Sequence, residues 1–170
     1  MEGNNNIIGR NVRAIRKLLG LSVFDFSTLT ELSRATIVNI ESGKRGLSIH
    51  NLDKICHFTN FKLSDLTNKN FQLKGDIRER LIKHYQKDNA ILNILSKAPD
   101  ISYAISFKLL KSDFLDTPRE IREIRAFISK TFKWTYKGTS ISTTLKRMPE
   151  LIKIEPHPTK KNTFLYSKIK

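Results

Sequence analysis

Residues 33–45, SRATIVNIESGKR, gather side chains that can hydrogen-bond to nucleic acid. If Ile37 and Ile40 form the inner face of a helix, Arg34, Ala35, Val38 and Asn39 point outward, with Thr36 near the helix start. An outward arginine can donate two parallel hydrogen bonds to guanine. An asparagine can pair the same way with adenine, and Ala35 or Val38 can touch a thymine methyl. Short hydroxyls such as Ser22, Ser33 and Thr36 suit phosphate oxygens at close range, and Lys44 and Arg45 add two cations just beyond the helix. Alone, an amphipathic helix followed by two basic residues is also the pattern of a solvated face. The surrounding elements have to decide.

The first seventy residues read as five short helices. Asn6 is expected to cap a helix carrying Ile7, Ile8, Val12, Ile15 and Leu18–Leu19, with Gly20 as its stop. Ser22 caps a second helix with Asp25 in its first turn, and a break follows at Leu29–Leu32. Ser33 caps the third. Residues 42–46 form a glycine-punctuated loop. Ser48 caps a fourth helix with Leu52, Ile55 and Phe58 inward, and Ser64 a fifth around Leu66.

This order of motifs resembles the Cro/phage-repressor (XRE) helix-turn-helix family over residues 6–68. The strings that carry the resemblance are VRAIRKLLGLS (12–22), SRATIVNIESGKR (33–45) and LSIHNLDKICHFTNFKLSDL (47–66). It implies five helices, the second and third forming the motif. It implies DNA contact through Arg34, Ala35, Thr36 and Asn39, with Lys44 and Arg45 on phosphates. It also implies a pairing of Arg16 in the first helix with Glu41 at the end of the third. Two positions depart from the family. Val23 stands where a glutamine usually touches phosphate, so that contact is missing. Glu31 stands where the turn favours glycine, so the turn is strained or differently shaped.

Residues 67–75 lack periodicity and mark a boundary. Asp76 then caps a long helix through about Lys97, ended near Pro99. This segment either links or pairs subunits, or is the first helix of a second core. A helix is expected over 101–115, followed by Thr117-Pro118-Arg119-Glu120 as a capping box with proline at the first helical position. That helix runs to about Thr131, and another from Thr139 carries Ile141, Leu145 and Met148. Strands are expected at 151–155 and 163–169. Three helices and a hairpin resemble a winged helix. The resemblance implies a recognition helix offering Thr139, Ser140, Ser142, Thr143, Lys146 and Arg147, and a wing with Lys160, Lys161 and Asn162 at its tip. From Lys130 onward there are ten basic and two acidic residues. The alternative is a dimerisation or partner domain with an incidental basic surface.

The 170-residue chain has a formal net charge of +15, a balance that fits an acidic partner. A merely cationic protein is the bland alternative. Cys56 is the single cysteine and cannot form an internal disulfide, so a reducing cytoplasm fits. Its place beside Leu52 and Ile55 suits a buried structural thiol. His50, His57, His84 and His157 show no metal-ligand spacing. No apolar run approaches a membrane span, and the polar start from Glu2 to Asn6 is not a signal peptide. Asp113 and Asp116 read as caps or solvated carboxylates, and no phosphate loop or nucleophile elbow is present. A nucleic-acid enzyme with an attached helix-turn-helix therefore lacks a catalytic constellation, metal or cofactor.

These observations give a mostly α fold. A five-helix lambda-repressor-like helix-turn-helix domain over 1–70 is followed by a linker helix over 71–99 and a winged-helix-like domain over 100–170. The expected function is sequence-specific transcriptional regulation, repression above all, on double-stranded DNA. The protein would act as a homodimer or as a monomer using two modules in tandem. The rival function is an antitoxin or phage immunity factor whose C-terminal domain holds a protein partner or dimerises.

Overall fold

The computed structural model describes residues 3–45, 47–73 and 75–169. The chain divides between Ser96 and Lys97 into two compact units. Among the described residues no helix is long and apolar enough to cross a membrane.

The first unit is helical: α1 (Asn4–Leu18), α2 (Val23–Leu29), α3 (Arg34–Glu41), α4 (Ile49–Thr59), α5 (Leu63–Thr67), α6 (Ile77–His84) and α7 (Asn89–Leu95). Ser22, Ser33 and Ser48 each accept a hydrogen bond from the backbone N–H three residues on, which satisfies a donor the helix start leaves open. Two expected caps are corrected. α1 starts earlier, after Gly3, so Asn6 lies inside its first turn. α5 follows Lys62 and not Ser64, because the Asp65 carboxylate accepts the Lys62 N–H at 2.8 Å and closes the turn there. Ile7, Val12, Ile15, Leu19, Phe26, Ile37, Ile40, Ile55, Phe58 and Leu66 are at most 2 % exposed and form the core. Each such side chain contributes roughly 1.5–3 kcal/mol by burial.

The helix expected from Asp76 to about Lys97 is two helices. α6 stops at Tyr85, whose hydroxyl donates to the Phe58 carbonyl at 3.0 Å while its ring stacks on Phe58. Asp88 then caps α7 by accepting the Ile91 N–H at 3.0 Å. Both helices belong to the first unit. Arg78 is 4 % exposed and donates to the Leu95 carbonyl at 2.5 Å and to the Leu19 carbonyl at the end of α1. A single guanidinium thus ties the start of α6 to the ends of α1 and α7.

The second unit begins with α8 (Ile101–Tyr103), which continues in the wider π-form over Ala104–Leu109 and is followed by a 3-10 turn at Phe114–Asp116. The regular helix expected over 101–115 is therefore shorter. β1 (Arg119–Glu120), α9 (Ile121–Phe132), α10 (Gly138–Lys146), β2 (Ile152–Pro156) and β3 (Phe164–Lys168) complete the unit. The expected Thr117-Pro118 helix start is corrected. Arg119 and Glu120 are extended and pair antiparallel with Tyr166 and Leu165, and the helix begins after Glu120, whose N–H is accepted by Glu123 at 2.8 Å. Pairing with β3 satisfies backbone groups that a helix start would leave open. The sheet order is β1-β3-β2, all antiparallel. Helix, short strand, two helices and a hairpin in this order make a winged-helix-like unit. Its core is Ile105, Leu109, Leu115, Ile124, Ile128, Ile141, Leu145, Ile152 and Tyr166.

Arg78→Met is expected to lower the stability of the first unit by about 2–3 kcal/mol, since buried carbonyls lose a charged donor. Urea unfolding of the full-length protein, followed by helical circular dichroism, measures it.

Candidate nucleic-acid interface

The exposed face of α3 depends first on how its other face is held. Ile37 and Ile40 are fully buried. Gly9 of α1 lets the two helices touch: a Cβ there would lie 2.4 Å from the Ile40 carbonyl oxygen and 3.1 Å from that of Glu41. No other residue fits without moving α3. About two helical turns further along α1, Arg16 reaches the end of α3. Its Nε and Nη2 donate to the two Glu41 carboxylate oxygens at 2.6 and 2.8 Å, and its Nη1 donates to the Leu21 carbonyl at 3.0 Å. Both side chains are mostly shielded, at 12 and 9 % exposure, so the forked pair works in low dielectric and fixes the azimuth of α3.

α1, α2 and α3 end in the same way. The N–H groups of Leu21, Leu32 and Lys44 return to Arg16, Ser27 and Asn39, and those of Gly20, Glu31 and Gly43 return to Lys17, Thr28 and Ile40. This paired cap needs a left-handed residue at its centre. Gly20 and Gly43 supply it at φ 64° and 69°, and Glu31 supplies it at φ 53°. The turn between α2 and α3 therefore keeps the glycine conformation without the glycine. Lys54 braces it from α4, donating to the Glu31 carbonyl at 3.1 Å with the carboxylate 3.7 Å away.

On the free side of α3, Arg34, Ala35 and Val38 are exposed, and Thr36 and Asn39 are half-buried. Arg34 lies over the exposed Phe24 ring of α2, its guanidinium 5.8 Å from the centroid, which restricts its swing. Nothing in the local sequence marked Phe24 for this place. Ser22 and Ser33 are engaged as caps. Ser22 also donates to the Asp25 carboxylate at 2.6 Å, and the Ser33 and Thr36 hydroxyls form a hydrogen bond at 2.9 Å. A phosphate at Ser22 would have to displace that carboxylate. Lys44 and Arg45 are exposed just beyond the helix. Cys56 is half-buried, and desolvation followed by Asp53 and Asp65 raises its pKa, which keeps it a thiol.

In the second unit, Thr139, Ser140, Thr143, Lys146 and Arg147 are exposed along α10 and its end. Ser142 is turned inward and shares a hydrogen bond with the Tyr166 hydroxyl at 2.9 Å. The hairpin tip is held by His157, whose Nδ1 accepts the N–H groups of Thr159 and Lys160 at 3.2 and 3.1 Å. Its Nε2 lies 3.5 Å from Glu120, which also binds Lys160. The Lys160 ammonium holds the Glu120 carboxyl below the usual carboxylate range. Lys160 is thus turned back onto β1, though it stays exposed together with Lys161 and Asn162. Lys146 lies 5.5 Å from the Phe164 ring centroid and borders a cleft of about 360 Å³ with Arg122, Ser142 and Asn162. Among the described residues, no group of three His, Cys, Asp or Glu side chains is placed to hold a metal ion.

Two substitutions test the scaffold. Glu41→Ala is expected to cost about 2–4 kcal/mol, because it leaves Arg16 shielded without its carboxylate. Glu31→Gly is expected to stabilise by about 0.5–1 kcal/mol by relieving the left-handed strain. Its ion pair to Lys54 is too exposed to offset that. Thermal and urea unfolding of both variants would read opposite signs.

No curated protein and no solved structure matches the chain. Residues 12–66 match a family model described as Helix-turn-helix. The matched residues run from α1 to α5 and contain the Arg16–Glu41 pair, the α2–α3 turn and the exposed face of α3. This N-terminal segment is an XRE-family helix-turn-helix, the DNA-binding module of a transcription regulator.

Proposed function

We propose that the protein is a sequence-specific repressor that occupies an operator with α3 in the major groove. The observation that carries this is the outward face of α3. Arg34 and Asn39, two side chains able to bond base edges bidentately, stand on a helix whose opposite face is locked by Gly9, Ile37, Ile40 and the Arg16–Glu41 pair. Arg34 reads guanine and Asn39 reads adenine, with Ala35 and Thr36 alongside. Lys44 and Arg45 neutralise phosphate together with Ser33 and the open N–H groups at the start of α3. Ser22 contributes where Asp25 yields.

The winged-helix-like unit supplies a second DNA contact in this reading. Thr139, Ser140, Thr143, Lys146 and Arg147 present the exposed face of α10, and Lys161 extends the basic surface at the hairpin tip. Two readers in one chain lengthen the site without requiring a dimer, while a homodimer on a pseudo-palindrome lengthens it by symmetry. The genome in a reducing cytoplasm is the expected place of action. A second reading, an antitoxin or phage immunity factor, draws support from Leu151, Phe164 and Ile169. These are 43, 42 and 45 % exposed around the hairpin and could seat a protein partner.

Selecting bound sites from random duplexes with the full-length protein tests this proposal. Asn39→Ala is expected to flatten sequence preference while largely keeping nonspecific affinity. Lys44→Ala is expected to weaken all sequences alike and reduce the salt slope by about 1. Exchanging Lys146 and Arg147 for alanine is expected to erase one part of a longer motif. If that motif persists unchanged, the second unit does not read DNA. Cutting of plasmid in magnesium would replace the repressor with a nuclease.

A further inference from the structure

Beside the polar readers, the same face carries an apolar groove. Val23 at the start of α2 and Ala35 and Val38 of α3 line it, together with Ser33, Arg34 and Asn39. Val38 is 52 % exposed, and Val23 is half-exposed. Neither side chain is spent on the core, and the side chain of a valine at position 23 can form no hydrogen bond to a phosphate or a base. An apolar floor between a guanidinium and a carboxamide is suited to a partner that is polar and anionic around it but apolar at one point. On the major-groove edge of DNA the one apolar group is the methyl at C5 of a pyrimidine.

We propose that Val23, Ala35 and Val38 form a receptor for a pyrimidine 5-methyl group, with two helices supplying its walls. This deepens the operator-binding reading and rests on it. The groove makes the protein select thymine, and accept 5-methylcytosine, beside the bases read by Arg34 and Asn39. Val23 thus gains a specificity role from a position where the phosphate contact of a glutamine is absent. Arg34 in the lining, with Lys44 and Arg45 exposed just beyond the end of α3, favours DNA over an apolar protein segment as the occupant.

The test uses the full-length protein and the duplex obtained by site selection. Each thymine is replaced in turn by deoxyuridine, which removes only the 5-methyl group. At one or two positions affinity is expected to fall about three- to fivefold, the effect of one buried methyl. A 5-methylcytosine duplex at those positions should bind more tightly than its unmethylated counterpart. In Val38→Ala and Val23→Ala the deoxyuridine penalty should shrink below about twofold, with thermal unfolding unchanged because both sites are partly open. If a motif is selected but no deoxyuridine position matters, the methyl receptor is wrong and the operator reading stands. If the penalty appears but persists in both valine variants, other residues hold the methyl and the assignment to this groove fails. If no sequence is enriched at all, the operator reading itself fails and the receptor with it.

Discussion

The forked ion pair between Arg16 and Glu41 governs the first unit. It joins the end of α1 to the end of α3 with two hydrogen bonds, and a third bond from the same guanidinium holds the Leu21 carbonyl before α2. One side chain thereby links the first three helices of the unit. Gly9 allows α3 to approach closely enough for the pair to form, and the pair keeps α3 from rotating about that contact. Rotation by one residue position would turn Ile37 or Ile40 outward and carry Arg34 and Asn39 off the exposed face. The side chains that α3 presents outward are thus set by contacts on its inward side.

Caps repeat this economy locally. Serines start α2, α3 and α4, and α1, α2 and α3 end with the same pair of returning N–H groups. The α2 end differs by holding Glu31 in the left-handed region. Lys54 and the returning N–H groups hold that turn against the steric cost, which explains how the motif survives without glycine. In the second unit, Glu120 has a comparable role. Its backbone pairs with β3 and begins α9, and its carboxylate anchors His157 and Lys160 of the hairpin. One of the two tip lysines is therefore taken up in shaping the hairpin.

Local patterns made much of this visible. Serine caps, isoleucines three apart and glycine stops act within one or two helical turns, so the string itself carries them. The misplaced elements have other causes. The two residues of β1 are too few to show alternation, and their extended form exists because β3 runs beside them. The long helix expected over 76–97 is broken where Tyr85 stacks on Phe58 and Asp88 caps a new helix. Nothing in the local string sets Arg78 apart from the other cations. Its burial follows only from the meeting of the α1, α6 and α7 ends.

By itself the sequence determined the family of the first unit, the inward face of α3 and the residue types available to bind, because those rest on spacing along one chain. Tertiary structure decided which of them remain free to act. Ser142 turned to Tyr166 and Lys160 to Glu120, each captured by a partner brought within hydrogen-bond reach by folding. It also made Val23 and Val38, fifteen positions apart in the chain, walls of one groove. Such a surface has no signature in the string, since it comes into being only when two helices are held at a fixed angle.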